Sequence, residues 1–264
     1  MYTLSRLTPE ARPIVEAAAE IYLRHMQPWF VGLVIHGSAL KGGFIPGCSD
    51  IDLLLFLDPK DFAIPAGLPL ETCLALSRDL SSLDLAPFRL IQCRAFATFP
   101  QGHTGLVPGA YHLLAGKMPV AEATREELYL SAQSAFESLI PVPPSLIGNL
   151  LEQGKGRLAW DIRWLCTSVW PTLSQLLVLQ GHDPFEIWRL PKPQALTLLP
   201  VDLPTGQAIR AFYQAVLTYF PSEESTEDGL RVIATGVTFL QTAQRWWQEH
   251  RRTRWKEKSK SDPS

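Results

Sequence analysis

The stretch that most constrains how this 264-residue chain can fold runs from Val31 to Leu57 and reads Val-Gly-Leu-Val-Ile-His-Gly-Ser-Ala-Leu-Lys-Gly-Gly-Phe-Ile-Pro-Gly-Cys-Ser-Asp-Ile-Asp-Leu-Leu-Leu-Phe-Leu. An apolar run, Val31 to Ile35, stops at Gly37-Ser38, and after eleven more residues Asp50 and Asp52 open a second apolar run to Leu57. The pattern predicts strand, turn, strand. Successive side chains of a strand alternate faces, so Asp50 and Asp52 share one side while Ile51 points to the other, towards a core. Two carboxylates about 7 Å apart along one strand suit a divalent cation, which prefers hard oxygen ligands.

The Gly-Ser turn supplies the complementary half. Gly37 lets the backbone take a positive φ and come close to a ligand, and Ser38 to Lys41 can open a short helix whose free N–H groups favour an anion. With Mg²⁺ on Asp50 and Asp52 bridging phosphate oxygens, the pair describes a site for a nucleoside triphosphate whose α-phosphorus is attacked in line by an alcohol.

Gly37-Ser38, eleven residues, then Asp50-Ile51-Asp52 between flanking strands resembles the signature of the nucleotidyltransferase superfamily, which shares the palm fold of DNA polymerase β. Within it, His36-Gly-Ser-Ala-Leu-Lys-Gly-Gly and Pro46-Gly-Cys-Ser-Asp-Ile-Asp-Leu are similar to the bacterial aminoglycoside adenylyltransferases. The specific match covers residues 31 to 57, and a looser one reaches about residue 115. The resemblance implies an α+β fold with a palm-like mixed-sheet domain over 1–118; the helical pattern that follows predicts an all-α helical bundle over 119–250, and the charge run at 251–264 reads as a basic, disordered tail. It implies transfer of a nucleoside monophosphate, AMP from ATP, to a hydroxyl of a small acceptor with Mg²⁺ as cofactor. Asp50 and Asp52 would be catalytic and metal-binding, and Gly37, Ser38, Lys41, Ser49 and Arg94 would contact the nucleotide. A homodimer is compatible with this reading.

Composition agrees with a globular chain: 46% of residues are hydrophobic and 19% charged. A net charge of −2 gives no electrostatic case for nucleic acid, so a small-molecule partner is favoured. No apolar run reaches the roughly 18 residues that span a bilayer, and Met1 to Glu10 lacks a signal-peptide core; a cytoplasmic protein without a membrane partner is expected. The four cysteines, Cys48, Cys73, Cys93 and Cys166, lie in or beside apolar stretches with no C-x-x-C pair, which predicts reduced thiols and no zinc site.

Along the chain, Ile14, Ala17, Ala18, Ile21 and Tyr22 recur at helical spacing, and Pro28 ends that helix. Strands at 31–36 and 51–57 follow, then a loop punctuated by Pro59, Pro65 and Pro69, a helix near 70–82, and a strand from Phe88 to Phe96. Tyr111 to Pro119 reads as the last small element of the domain and a turn. Thr124-Arg-Glu-Glu127 is a capping box, and helices are predicted near 125–140, 145–153, 157–180, 206–220 and 226–249. Pro171 should kink or interrupt the third of these, and Pro191, Pro193, Pro200 and Pro204 mark an irregular connection.

One departure from the family pattern matters chemically. Its active members place a third carboxylate on a neighbouring strand, where it completes the metal site or deprotonates the acceptor. Here that strand reads Ala86-Pro-Phe-Arg-Leu-Ile-Gln-Cys-Arg-Ala-Phe, with no acid. On alternation Leu90, Gln92 and Arg94 share a face, so Gln92 takes the acid's place as a metal ligand and Arg94 meets phosphate. Glutamine can ligate through its carbonyl but is neutral and cannot act as a base. Glu122, Glu126, Glu127, Glu152 and Asp161 are candidate replacements, and each is better read as surface charge. His36 and His112 are better read as structural histidines, and packing explains most of the eight tryptophans, Trp160, Trp164 and Trp188 among them. Two readings follow: an Mg²⁺-dependent nucleotidyltransferase, and a catalytically weakened nucleotide-binding relative or regulatory partner protein.

Overall fold

The computed structural model describes residues 4–58, 68–97, 105–152, 154, 156–221 and 225–261, with side chains as far as Arg251. The chain forms two compact units, Met1–Glu127 with Trp188–Pro191, and Leu128–Ile187 with Lys192–Ser264.

The first unit is built on a four-stranded mixed sheet. Strands β1 (Phe30–His36) and β2 (Ile51–Leu57) pair antiparallel, β3 (Ile91–Phe96) adds parallel to β2, and β4 (Tyr111–Gly116) adds antiparallel to β1, in the order β3-β2-β1-β4. Both central strands read as almost unbroken apolar runs because both faces of the sheet are covered. On one face Leu33, Ile35, Ile51, Leu53, Leu55 and Leu57 pack with Ile14, Val15, Ala18, Ala19, Tyr22 and Met26 of helix α1 (Arg12–Met26). Each fully buried Leu or Ile there contributes about 1.5–3 kcal/mol relative to exposure. On the other face Val34, Leu54 and Phe56 form a smaller cluster, joined by Phe96, Tyr111 and Leu113. Helix α3 (Leu70–Leu80) packs beside α1, and the carboxylate of Asp79 ties the two by accepting from Arg24 and bonding His25 Nε2, both at 2.8 Å.

The third strand begins later than its sequence suggests. Phe88 is core, its ring 4.9 Å from Phe44, and its N–H donates to Leu85 O in a turn, so regular pairing with β2 starts only at Ile91. Pro59 and Pro65 lie outside the described residues. The capping box forms as read: Glu127 N–H donates to Thr124 Oγ1 at 3.1 Å, and Thr124 N–H donates to Glu127 Oε2 at 2.7 Å.

The second unit is helical. Its elements are α4 (Arg125–Glu137), α5 (Pro144–Leu150), α6 (Arg157–Leu179), α7 (Pro184–Arg189), α8 (Lys192–Thr197), α9 (Pro204–Tyr219) and α10 (Thr226–Ser261), with α4 and α7 crossing the unit boundaries. Leu165, Val169, Leu173 and Leu176 of α6 are buried, as are Ile209, Phe212 and Val216 of α9 and Val232, Phe239, Leu240 and Trp247 of α10. Pro171 does not interrupt α6, which runs as one helix through it. The region of Pro191 to Pro204 is more regular than read: α8 occupies part of it, and Pro193 and Pro204 sit in first turns, as does Pro184 of α7, where the missing N–H has no helical partner to lose. Helix α10 continues through the basic stretch to Ser261, since no helix breaker precedes Pro263. Trp160 and Trp164 are 61% and 39% exposed, so packing does not account for those two rings. No helix among the described residues is long and apolar enough to cross a membrane, and all four cysteines are free thiols.

Candidate functional site

The site is assembled at one end of the sheet, where β1 finishes and β2 starts. Helix α2 (Ser38–Lys41) follows β1 after the single residue Gly37, whose φ of 76° and ψ of −155° belong to a region open in practice to glycine alone. The conformation has a spatial reason as well: a Cβ on Gly37 would collide with Asp52 Oδ2 and lie 3.3 Å from Asp52 Cγ. The backbone turn and the second carboxylate are therefore in contact. Ser38 is buried, and Leu40 and Lys41 N–H groups donate to Gly37 O, closing the first turn of α2.

Asp50 is held just ahead of β2 by its neighbours. The Arg89 N–H donates to Ser49 O and the Ile51 N–H to Leu90 O, each at 2.9 Å, so the chain is extended through residues 49–51. Ile51 is fully buried on the α1 side, which turns Asp50 and Asp52 to the opposite face. Ser49 is buried, and its Oγ accepts from the Ile45 N–H at 2.8 Å, so its hydroxyl braces the Ile45–Ser49 turn that leads into Asp50.

Strand register sets the rest. Asp52 stands opposite His36 on β1 and opposite Gln92 on β3, and His36 stands opposite Tyr111 on β4. Directly opposed residues present side chains to the same face. A polar row, Gln92, Asp52, His36, Tyr111, thus crosses all four strands beside the Gly37 turn. Arg94 lies one step further along β3, opposite Leu54. Burial pushes the His36 pKa down to about 4, and the positive charges of Lys41 and Arg94 add to the effect, so the imidazole is neutral near pH 7 and both cations act on the same place. Lys41 Nζ donates to Trp188 O at 3.2 Å, within the first unit.

The register also extends the set beyond what the sequence shows. Tyr111 OH donates to Glu122 Oε1 at 2.8 Å, and Glu122 forms a bridge with Leu106, which places one candidate acid at the end of the row. Burial and the nearby Glu122 carboxylate raise the Tyr111 pKa, so the phenol stays protonated and donates. Alternation in Tyr111-His-Leu-Leu was the available signal, but the pairing with His36 was not in it. His112 is opposite Ile35 and so belongs to the helix-covered face, away from Asp52. Glu127 serves the capping box, its pKa lowered by the Thr124 N–H and hydroxyl, and Glu126 is exposed in the same turn. Glu152 pairs with Arg157, and Asp161, 2% exposed, accepts from Asn149 Nδ2 at 2.7 Å; both acids belong to the second unit. Among the described residues no three His, Cys, Asp or Glu side chains converge to hold a metal. Asp50, Asp52 and the neighbouring Gln92 amide offer hard oxygen donors of the kind Mg²⁺ accepts.

No protein-family model matches the chain, and no curated protein matches its sequence. Among solved structures, one that the fold resembles is a crystal structure of spectinomycin adenyltransferase AAD(9) from Enterococcus faecialis with ATP and spectinomycin, at 13% sequence identity and a TM-score of 0.50, covering 88% of this chain and 98% of that one. At that identity the likeness is one of fold: a mixed sheet followed by a helical part, as in a nucleotidyltransferase.

Proposed function

We propose that the chain binds an Mg²⁺–nucleoside triphosphate against Gly37, Asp50 and Asp52 and transfers the nucleoside monophosphate, AMP from ATP, to a hydroxyl of a small acceptor of aminoglycoside type. The observation that carries this is the contact between the Gly37 turn and the Asp52 carboxylate, which puts an anion-approaching backbone next to a cation ligand with no side chain between them. The fold likeness to an adenylyltransferase supports it.

Asp50, Asp52 and the amide oxygen of Gln92 would hold the ion, whose contribution when bound is to polarise phosphate oxygens and offset charge on the triphosphate. The residues of the chain do the rest. Gly37 admits the phosphates close to the backbone, the Ser38 end of α2 faces them with N–H groups, and Lys41 and Arg94 bring positive charge to the same end of the sheet. Transfer joins the acceptor oxygen to the α-phosphorus and releases pyrophosphate, while the hydroxyl proton passes to solvent, because Gln92 cannot accept it. That same residue favours a second reading, nucleotide binding without turnover.

The test is pyrophosphate release from ATP and Mg²⁺ with a panel of aminocyclitol and aminoglycoside acceptors, spectinomycin included, beside calorimetric binding of the nucleotide. Acceptor-dependent release that disappears in Asp50→Asn and Asp52→Asn supports transfer. Tight ATP binding without release by any acceptor establishes the second reading, and Mg²⁺–ATP binding equal in parent and both variants sinks both.

A further inference from the structure

We propose that this site takes its nucleoside triphosphate with a single divalent cation, Arg94 supplying the positive charge that a second ion would bring. The inference rests on the nucleotide reading above and adds to it the cation stoichiometry.

A divalent ion with a strict octahedral preference needs several oxygen ligands, at least some of them anionic. The row across the sheet offers few. Asp52 is flanked by Gln92 on β3 and His36 on β1, so neither lateral neighbour brings negative charge. Asp50, one step before β2 and on the same face, completes one two-carboxylate set, and among the described residues no third acid joins it. Two carboxylates neutralise one Mg²⁺. A second would have to share them beside the guanidinium of Arg94, an exposed residue two positions beyond Gln92 on β3 and therefore on the same face. A like charge at that place repels an incoming ion, while the planar fork of an arginine meets phosphate oxygens in a bidentate way. Lys41, at the end of α2, brings a further cation to this end of the sheet. The two basic residues thus stand where charge on the triphosphate must be offset, without metal ligands of their own.

The experiment counts Mn²⁺ bound per nucleotide by electron paramagnetic resonance, using the whole chain in excess over an α,β-methylene ATP analogue, with nucleotide binding measured separately by calorimetry. The parent is expected to hold one Mn²⁺ per bound nucleotide and Gln92→Glu two, since the added carboxylate lies opposite Asp52. Arg94→Gln should weaken the analogue about tenfold or more at unchanged Mn²⁺ count. Two ions in the parent, a count of one in Gln92→Glu, or unchanged affinity in Arg94→Gln overturns the proposal while leaving nucleotide binding intact. Failure of the parent to bind the analogue at all removes the underlying reading as well.

Discussion

Replacing Gly37 by alanine adds one carbon where the structure has least room for it. Two costs add. The backbone at φ 76° and ψ −155° is glycine-only territory, which costs a non-glycine residue about 1–3 kcal/mol. The new Cβ would also collide with Asp52 Oδ2, so the carboxylate must leave its rotamer at about 0.5–1.5 kcal/mol. Together these amount to roughly 2–4 kcal/mol, or a fall of roughly 6–16 °C in the melting of the sheet unit at about 3–4 °C per kcal/mol for a unit of this size. The two costs separate in a double-mutant cycle. In an Asp52→Ala background only the backbone cost remains, so the coupling should be about 1 kcal/mol. Urea unfolding of the four proteins gives the stabilities, and calorimetric titration with Mg²⁺ and ATP, run well below the melting range, gives affinity. A tenfold or greater loss of affinity, about 1.4 kcal/mol, is expected for Gly37→Ala alone. A Gly37→Ala protein as stable as the parent refutes the strain argument, and identical losses in both backgrounds refute the contact with Asp52. Unchanged affinity in a destabilised variant removes the turn as the seat of the triphosphate.

Three other outcomes are expected. His36 is protonated near pH 6.5 in the unfolded chain but only near pH 4 when folded, so the unfolded state binds more protons between these values and stability falls as pH drops from 6.5 through 4. His36→Gln should flatten that slope in urea midpoints measured from pH 7 to 4; parallel slopes would discard the assignment. In the helical unit, the Arg210 guanidinium donates to Gly206 O at 2.8 Å, Leu196 O at 2.9 Å and Leu199 O at 2.7 Å, joining α9 to the end of α8, and Arg210→Met should cost about 2–4 kcal/mol by leaving those carbonyls short of donors. Arg210→Lys should recover less than half of it, because an ammonium cannot span three acceptors in one plane, and full recovery would show that charge alone matters. Glu122→Gln, which keeps an acceptor for the Tyr111 hydroxyl, should change stability by less than about 0.5 kcal/mol, as expected for an exposed position; a larger loss in thermal melts would mean that the carboxylate charge itself supports the row.

Much of this protein was legible in its sequence because the signals were local. Two apolar runs broken by Gly37-Ser38 and reopened at Asp50-Ile-Asp52 specify strand, turn and strand, since alternation and glycine geometry depend on a few adjacent residues. The Thr124 to Glu127 capping box is local in the same sense and formed as read. Proline was a weaker guide where its context decided: Pro171 lies inside α6 without interrupting it, and Pro193 and Pro204 sit in the first turns of helices where the sequence suggested irregular chain. Phe88 looked like strand by residue type, but its ring was needed in the core and its N–H in a turn.

What only the tertiary structure decided is which residues stand beside Asp52. The sequence by itself determined that Asp50 and Asp52 share a face and that Gln92 and Arg94 share another strand's face, because alternation is a property of one strand. It did not contain the register between strands, which is set by how the helix-covered core of Leu33, Ile35, Leu53 and Leu55 closes against α1. A shift of one residue would have moved Gln92 to the far face. The packed core instead puts Gln92 and His36 on either side of Asp52, and brings Tyr111, with Glu122 on its hydroxyl, to the end of the row from about sixty residues away in sequence, a separation that no local pattern spans.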